Sequence, residues 1–105
     1  MFEGDNKTGI VTANGKPLRM TDEARKSSPT GFNWGYMGSG CYALAHSMLN
    51  HLFGKVVADH YAQEFKFAVI SQIPFGQPFS VSYKSVRDWL KATQAIQMEA
   101  FIRPA

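Results

Sequence analysis

The sequence predicts a single α+β domain in which an N-terminal β-hairpin and a small antiparallel sheet pack against about three helices. An Asn14-Gly15 turn between two short alternating segments is typical of a hairpin. Apolar residues recur at helical spacing in three later segments. The length of 105 residues suffices for one hydrophobic core and is short for two, so we take 1–105 as one domain.

The hairpin is predicted at about residues 8–19. Thr8, Ile10 and Thr12 alternate with small or apolar residues before the turn, which is the pattern of a half-buried strand. Pro17 in the return strand has no N–H, and proline in a sheet is confined mainly to edges. We therefore expect the return strand at a sheet edge, where a homodimer could form by strand pairing.

Three helices are predicted at about 40–53, 55–72 and 82–97. Pro74 ends the second helix, and Ser82 is placed to cap the third. Apolar stripes define the three helices: Cys41, Leu44, Ala45, Met48, Leu49 and Leu52; Val57, Tyr61, Phe65, Ala68, Val69 and Ile73; Val86, Trp89 and Leu90. In the first helix, Ser47, Asn50 and His51 are expected to face outward.

The remaining segments are predicted as loops and short strands. Residues 20–31 are polar and predict a surface loop, and residues 32–36 alternate aromatic with small or polar side chains, as a short strand would. Residues 79–81 predict a further strand. The tail 98–105 is either a last strand or a frayed end.

Composition indicates a globular protein of the reducing cytoplasm. Hydrophobic residues make up 45% and charged residues 18% of the chain, and Cys41 is the single cysteine. The polar start Met1–Asp5 does not resemble a secretion signal, and no apolar run reaches bilayer length, so no membrane association is expected.

The formal net charge of +3 is mild and concentrates toward the C-terminal end. Lys84, Arg87 and Lys91 recur at helical spacing and form a basic stripe, which Asp88 interrupts. Such a stripe could contact phosphates or an acidic surface of a partner protein.

No catalytic, metal or cofactor site is predicted. Residues 38–43 fit the loose dinucleotide fingerprint G-x-G-x-x-A, but a second helix follows where a parallel strand is required. The start of a helix would stabilise the thiolate form of Cys41. A cysteine nucleophile also needs a base beside it, and His46 is expected on a different face of that helix. His60 and Glu64 supply two metal ligands, which is too few for zinc.

The aromatic residues Phe32, Trp34 and Tyr36, with Tyr42 nearby, are the most unusual local feature. Core packing is the default for such residues. If Trp34 or Tyr36 is exposed beside the glycine-rich loop, it would provide an anchor for a protein partner or a stacking platform for a base.

Residues 31–40, which follow the pattern GFxWGYxGSG, together with Ala43-Leu44-Ala45, resemble an uncharacterised domain family of phage, plasmid and bacterial proteins. The resemblance covers about residues 31–91. The family commonly has proline where this chain has Cys41, which argues against thiol chemistry shared by the family. The resemblance implies a setting in mobile genetic elements.

We therefore expect a small non-catalytic protein-binding module, an inhibitor of a bacterial defence complex such as a CRISPR effector, acting by steric occlusion of a host protein. The expected contact residues are Trp34, Tyr36, Lys84, Arg87 and Lys91. The alternative is a nucleic-acid-binding accessory protein that uses the basic stripe with an aromatic stack. A small enzyme using Cys41 or the histidines is the third hypothesis.

Overall fold

A four-stranded sheet and four helices make up the described part of the chain, residues 1–101 of the computed structural model, with side chains described through Met98. This confirms the α+β class. The strands are β1 (Phe2–Gly4), β2 (Val11–Ala13), β3 (Lys16–Pro17) and β4 (Phe79–Val81). The helices are α1 (Asp22–Ser27), α2 (Ser39–Phe53), α3 (Lys55–Ala68) and α4 (Tyr83–Phe101), with a 3-10 turn (Ile70–Gln72) after α3.

The sheet is antiparallel throughout, in the order β3-β2-β1-β4. Asn14 (φ 51°) and Gly15 (φ 82°) connect β2 to β3 with two positive φ angles, as an Asn-Gly hairpin turn requires. Pro17 lies at the sheet edge in β3. The sequence did not reveal β1, which pairs with both β2 and β4 and so joins the hairpin to the C-terminal half.

One face of the sheet is part of the core. Phe2, Val11 and Phe79 are each less than 10% exposed, while Glu3 lies between Thr12 and Ser80 on the opposite face. Gly4 allows this packing, because a Cβ there would lie 2.2 Å from the ring of Phe79.

Helix α2 is the central helix and packs against both α1 and α3. Every residue from Gly40 to Leu49 except Tyr42 is buried. The expectation that Ser47 faces outward is wrong, since its side chain is 1% exposed and accepts a hydrogen bond from the backbone N–H of Thr21 at 3.2 Å. The N-terminal part of the chain covers that face of α2.

The loop predicted at residues 20–31 contains α1 instead. Thr21 caps this helix, with its Oγ1 accepting a hydrogen bond from the N–H of Ala24 at 3.1 Å. Acidic residues occupy the first turn and basic residues the last turn, in the favourable sense for the helix dipole. Ala24 is the one buried residue of α1, so no apolar periodicity could indicate the helix.

Three further expectations are corrected. Residues 32–36 form no strand. Helix α3 ends at Ala68, and the 3-10 turn occupies the rest of the helix predicted to reach 72. Helix α4 continues past 97 to Phe101, so residues 98–101 are helical and form no last strand; residues 102–105 lie outside the described part. Within that part, no helix is both long and apolar enough to cross a membrane.

Candidate functional site

The loop of residues 31–40, called the signature loop below, is fastened to the segment that follows α3. The N–H of Gly35 donates to the carbonyl oxygen of Ile70 at 3.0 Å. The indole Nε1 of Trp34 donates to the carbonyl oxygen of Gln77 at 2.7 Å. Within the loop, the N–H of Asn33 donates to the carbonyl oxygen of Gly40 at 3.1 Å. These bonds hold the loop in one conformation against residues 70–77.

Glycines in the signature loop are required by close contacts. Gly35 has φ 85°, and a Cβ on it would lie 2.6 Å from Cα of Phe75 and 2.8 Å from the carbonyl oxygen of Ile73. A Cβ on Gly38 would lie 2.2 Å from the ring of Tyr36. The glycine pattern therefore places the ring of Tyr36 and the turn around Phe75 directly against the loop backbone.

Trp34 is a core residue. Its side chain is 4% exposed, and its ring meets the ring of Phe79 edge-on with centroids 4.8 Å apart. The condition on which Trp34 would anchor a partner, exposure beside the glycine-rich loop, is therefore not met, and Trp34 is removed from the expected contact residues. With its hydrogen bond to Gln77, Trp34 instead attaches the signature loop to the sheet and to the turn before β4.

Tyr36 and Phe75 form an exposed apolar surface, called the aromatic patch below, and the exposed Met37 follows Tyr36 in the chain. Tyr36, Met37 and Phe75 are 42%, 52% and 69% exposed. The rings of Tyr36 and Phe75 meet edge-on with centroids 5.9 Å apart. With Asn33, whose Nδ2 lies 3.4 Å from the Tyr36 hydroxyl, they line a shallow depression of about 380 Å³. Exposed aromatic residues and methionine on a rigid loop are typical of a recognition surface.

Phe75 was not among the residues expected at the site. A signal was nevertheless present. Phe75 stands between Pro74 and Gly76, in a turn that offers an aromatic side chain no regular face to pack on. An apolar aromatic residue in such a turn indicates exposure or contact with a distant loop, and Phe75 shows both.

The basic stripe lies on the surface of α4. Lys84, Arg87 and Lys91 are all exposed, but Lys84 Nζ donates to Asp88 Oδ2 at 2.7 Å. This hydrogen bond lowers the pKa of Asp88 and raises the pKa of Lys84. Among the residues described, no hydrogen bond, ion pair or ring contact connects the stripe with the aromatic patch. The structure therefore keeps the two predicted contact surfaces separate.

Cys41 is fully buried at the start of α2, and burial raises the pKa of its thiol. Both properties oppose a role as an accessible thiolate nucleophile. Among residues 1–101, no group of three or more His, Cys, Asp or Glu side chains could hold a metal ion. His51 and His60 are exposed on α2 and α3.

His46 belongs to a polar network that the sequence did not reveal. The side chain is 1% exposed; its Nδ1 lies 2.7 Å from Thr21 Oγ1 and its Nε2 lies 2.7 Å from Asp59 Oδ1. Asp59 also pairs with Lys55. The hydrogen bond from Lys55 lowers the pKa of Asp59 most, and the hydrogen bond with His46 lowers it further. From the sequence we expected only that His46 lies on a different face of α2 from Cys41. The network could not be predicted in this way, because Thr21 caps α1 and Asp59 lies on α3.

The network has the hydroxyl–imidazole–carboxylate order of a nucleophile with its base. However, Thr21 Oγ1 already accepts the capping hydrogen bond of α1, and His46 lies beneath the surface. A cavity of about 220 Å³ borders the network and is lined by Arg19, Thr21, Asp22, Glu23, His46, Asn50 and Lys55. The arrangement joins α1, α2 and α3, and its direct effect is to fix these helices relative to one another.

Comparison with known proteins identifies a family. Residues 2–92 match the sequence profile of a family described as a family of unknown function, DUF6166. The match includes the sheet, the signature loop and the first half of α4, and it extends further toward the N-terminus than the resemblance of residues 31–91. No curated protein and no solved structure matches the chain.

Proposed function

Because the chain belongs to the DUF6166 family, for which no function is known, we propose a function from the geometry: the protein is a protein-binding module that covers part of a partner protein with the aromatic patch. The observation that carries the proposal is the joint exposure of Tyr36 and Phe75, whose rings meet between the hydrogen-bonded signature loop and the turn after α3. Aromatic residues and methionine are enriched at interface cores.

The rigidity of the signature loop favours binding by this surface. Ordering a mobile loop on association costs roughly 0.5–1.5 kcal/mol for each rotamer-rich side chain that is immobilised. The bonds from Trp34 and Gly35 to the segment after α3 already fix the backbone beside Tyr36 and Phe75. The backbone of the loop therefore needs no further ordering on association, which leaves only the side chains of the patch to be immobilised, and the patch can serve as an anchor of a small interface.

The partner that we propose is a host protein or protein complex in the bacterial cytoplasm, and the protein would act by steric occlusion. We place the protein in phages, plasmids or related mobile elements and infer that its target is a bacterial defence complex such as a CRISPR effector. This part of the proposal rests on the resemblance of residues 31–40 to proteins of such elements. Its test is the plating efficiency of a targeted phage on strains with and without the protein.

A second candidate function is the binding of nucleic acid by the basic stripe. Its support is that Lys84, Arg87 and Lys91 are all exposed on α4. The ion pair of Lys84 with Asp88 engages one of these three charges within the protein itself. Binding of this kind would weaken steeply with added salt, whereas occlusion through the neutral aromatic patch would depend little on salt.

The test is affinity capture of the tagged protein from a bacterial lysate treated with nuclease, compared for the native protein and two variants. Phe75→Ala removes the most exposed ring of the patch, and Val56→Ala shortens a side chain of α3 that is 83% exposed. We expect one stoichiometric protein partner that is retained by Val56→Ala and lost by Phe75→Ala. A partner that both variants retain equally would contradict the proposed surface, and nucleic acid captured only without nuclease would favour the second candidate.

A further inference from the structure

Helix α4 (Tyr83–Phe101) is attached to the core mainly by its first half. Its 19 residues correspond to a length of about 28 Å. In the first half, Val86 and Leu90 are buried, and the ring of Trp89 lies 5.0 Å from that of Phe65. In the second half, Ile96 is 66% exposed. This half is joined to α3 by Gln97, whose Oε1 accepts a hydrogen bond from the Tyr61 hydroxyl at 3.0 Å and whose Nε2 donates to Glu64 Oε1 at 3.2 Å. Ile96 is thus presented to solvent on a helix end that is held against α3.

Four residues of α4 form a stripe next to the core face, called the α4 stripe below: Ser85, Trp89, Ala92 and Ile96. Their spacing of four, three and four residues is the spacing of a helix–helix seam. At 100° per residue they lie within an arc of about 60°. Each residue of the basic stripe lies at least about 110° from the centre of the α4 stripe, with Lys84 about 80° from Ala92, so the basic stripe would flank a helix packed on the α4 stripe without lying beneath it.

An apolar groove opens beside the first two residues of the α4 stripe. Its volume is about 570 Å³. It is lined by Met1, Phe65, Val69, Ser80, Val81, Ser82, Ser85, Val86 and Trp89. The groove therefore lies next to the small side chain of Ser85, at the opposite end of the stripe from the exposed Ile96.

The α4 stripe is complementary in size to itself when one copy is reversed. Ser85 and Ile96 are equally far from the midpoint between residues 90 and 91, and so are Trp89 and Ala92. Two antiparallel stripes centred on this midpoint would place each large residue opposite a small one. A parallel arrangement would place Trp89 on Trp89 and Ile96 on Ile96, with small residues facing small ones.

We propose that two copies of this chain form a symmetric dimer by antiparallel packing of their α4 stripes. Ile96 of each copy lies over Ser85 of the other, at the groove, and Trp89 of each packs on Ala92 of the other. The contact is small, with four residues from each copy, so we expect a weak dimer with a dissociation constant on the order of hundreds of micromolar. The surface differs from the hairpin edge, where β3 offers only Lys16 and Pro17.

The experiment is sedimentation velocity over low-micromolar to near-millimolar protein, with variants of α4. Ile96→Glu places a charge against the apolar groove at each end of the contact, and we expect it to weaken the dimer at least about tenfold. Met98→Glu is the matched control, because Met98 is similarly exposed (59%) at the same end of α4 but lies about 180° from Trp89. We expect this variant to dimerise as the native protein does.

A double variant tests the antiparallel pairing. Ser85→Lys combined with Ile96→Glu places opposite charges across both ends of the contact, so we expect recovery of dimerisation relative to Ile96→Glu alone, and weakening of the recovered dimer by salt. A native protein that stays monomeric over the whole concentration range would overturn the proposal. So would equal effects of Ile96→Glu and Met98→Glu, or a double variant no better than Ile96→Glu.

Discussion

His46 Nε2 lies 2.7 Å from Asp59 Oδ1, so the one buried histidine of the described chain, on α2, meets a half-exposed carboxylate on α3. On its other side, His46 Nδ1 contacts the Thr21 hydroxyl that caps α1. A neutral imidazole satisfies both contacts when its Nε2–H donates to Asp59 and its Nδ1 accepts the hydrogen of Thr21. This network connects three helices that contribute to the scaffold below the signature loop.

Replacement of His46 by alanine is expected to destabilise the fold. The change leaves a cavity and two polar partners without their hydrogen bonds, which together cost about 2–3 kcal/mol. His60→Ala is the matched control, because His60 is exposed on α3, and its effect should stay within about 0.5 kcal/mol. Urea unfolding followed by circular dichroism measures both variants. Equal stability of the two would show that the network contributes little.

The contribution of Asp59 to stability is expected to disappear in acid. Hydrogen bonds from Lys55 and then His46 lower the pKa of Asp59 from its ordinary value of 3.8. The folded state therefore favours the carboxylate; this contribution is full above the unfolded pKa and is lost as the pH falls through the folded pKa.

Asp59→Asn isolates this effect, because Asp5 and Asp88, whose pKa values are also lowered, remain in both proteins. The native protein should be more stable than the variant by a constant amount between about pH 5 and pH 7, and the difference should shrink below about pH 4. Urea unfolding at a series of pH values measures it. A difference that stays constant or grows in acid would contradict the assigned pKa direction.

Gly35 is expected to tolerate substitution less well than Gly76. Both have positive φ angles (85° and 75°), so alanine at either position costs about 1–2 kcal/mol of backbone strain. A Cβ on Gly35 additionally meets the backbone of Phe75 and Ile73, whereas a Cβ on Gly76 meets nothing within 4 Å. We expect Gly35→Ala to lower the melting temperature clearly more than Gly76→Ala. A reversed order would mean that the signature loop is not held as described.

Much of the fold follows from local sequence signals. The Asn14-Gly15 turn, the long apolar stripes of α2 and α3, and the Ser82 cap act within a few residues, and each lies in the corresponding structural element. Helix α1 was not predicted from the sequence, because it buries a single alanine and is stabilised by its N-cap and by charged residues in its first and last turns. Strand β1 was missed because it is only three residues long and one of its partners, β4, lies far along the chain at Phe79–Val81.

The candidate site could be predicted only in part for the same reason. Tyr36 was indicated by its unusual aromatic and glycine-rich surroundings, and it is exposed. The burial of Trp34 depends on contacts with Phe79 and Gln77, more than forty residues away, which no local pattern reports. Phe75 joins the aromatic patch through a contact across the fold with Tyr36, as His46 joins Asp59.

The most direct test of the proposed function is the affinity of the captured partner protein for three forms of this protein at two salt concentrations, measured by calorimetry. We expect Phe75→Ala to weaken binding at least about tenfold, Val56→Ala to bind as the native protein does, and added salt to change the affinity little. Equal affinity of Phe75→Ala and Val56→Ala, or binding that is lost with salt, would contradict recognition through the aromatic patch.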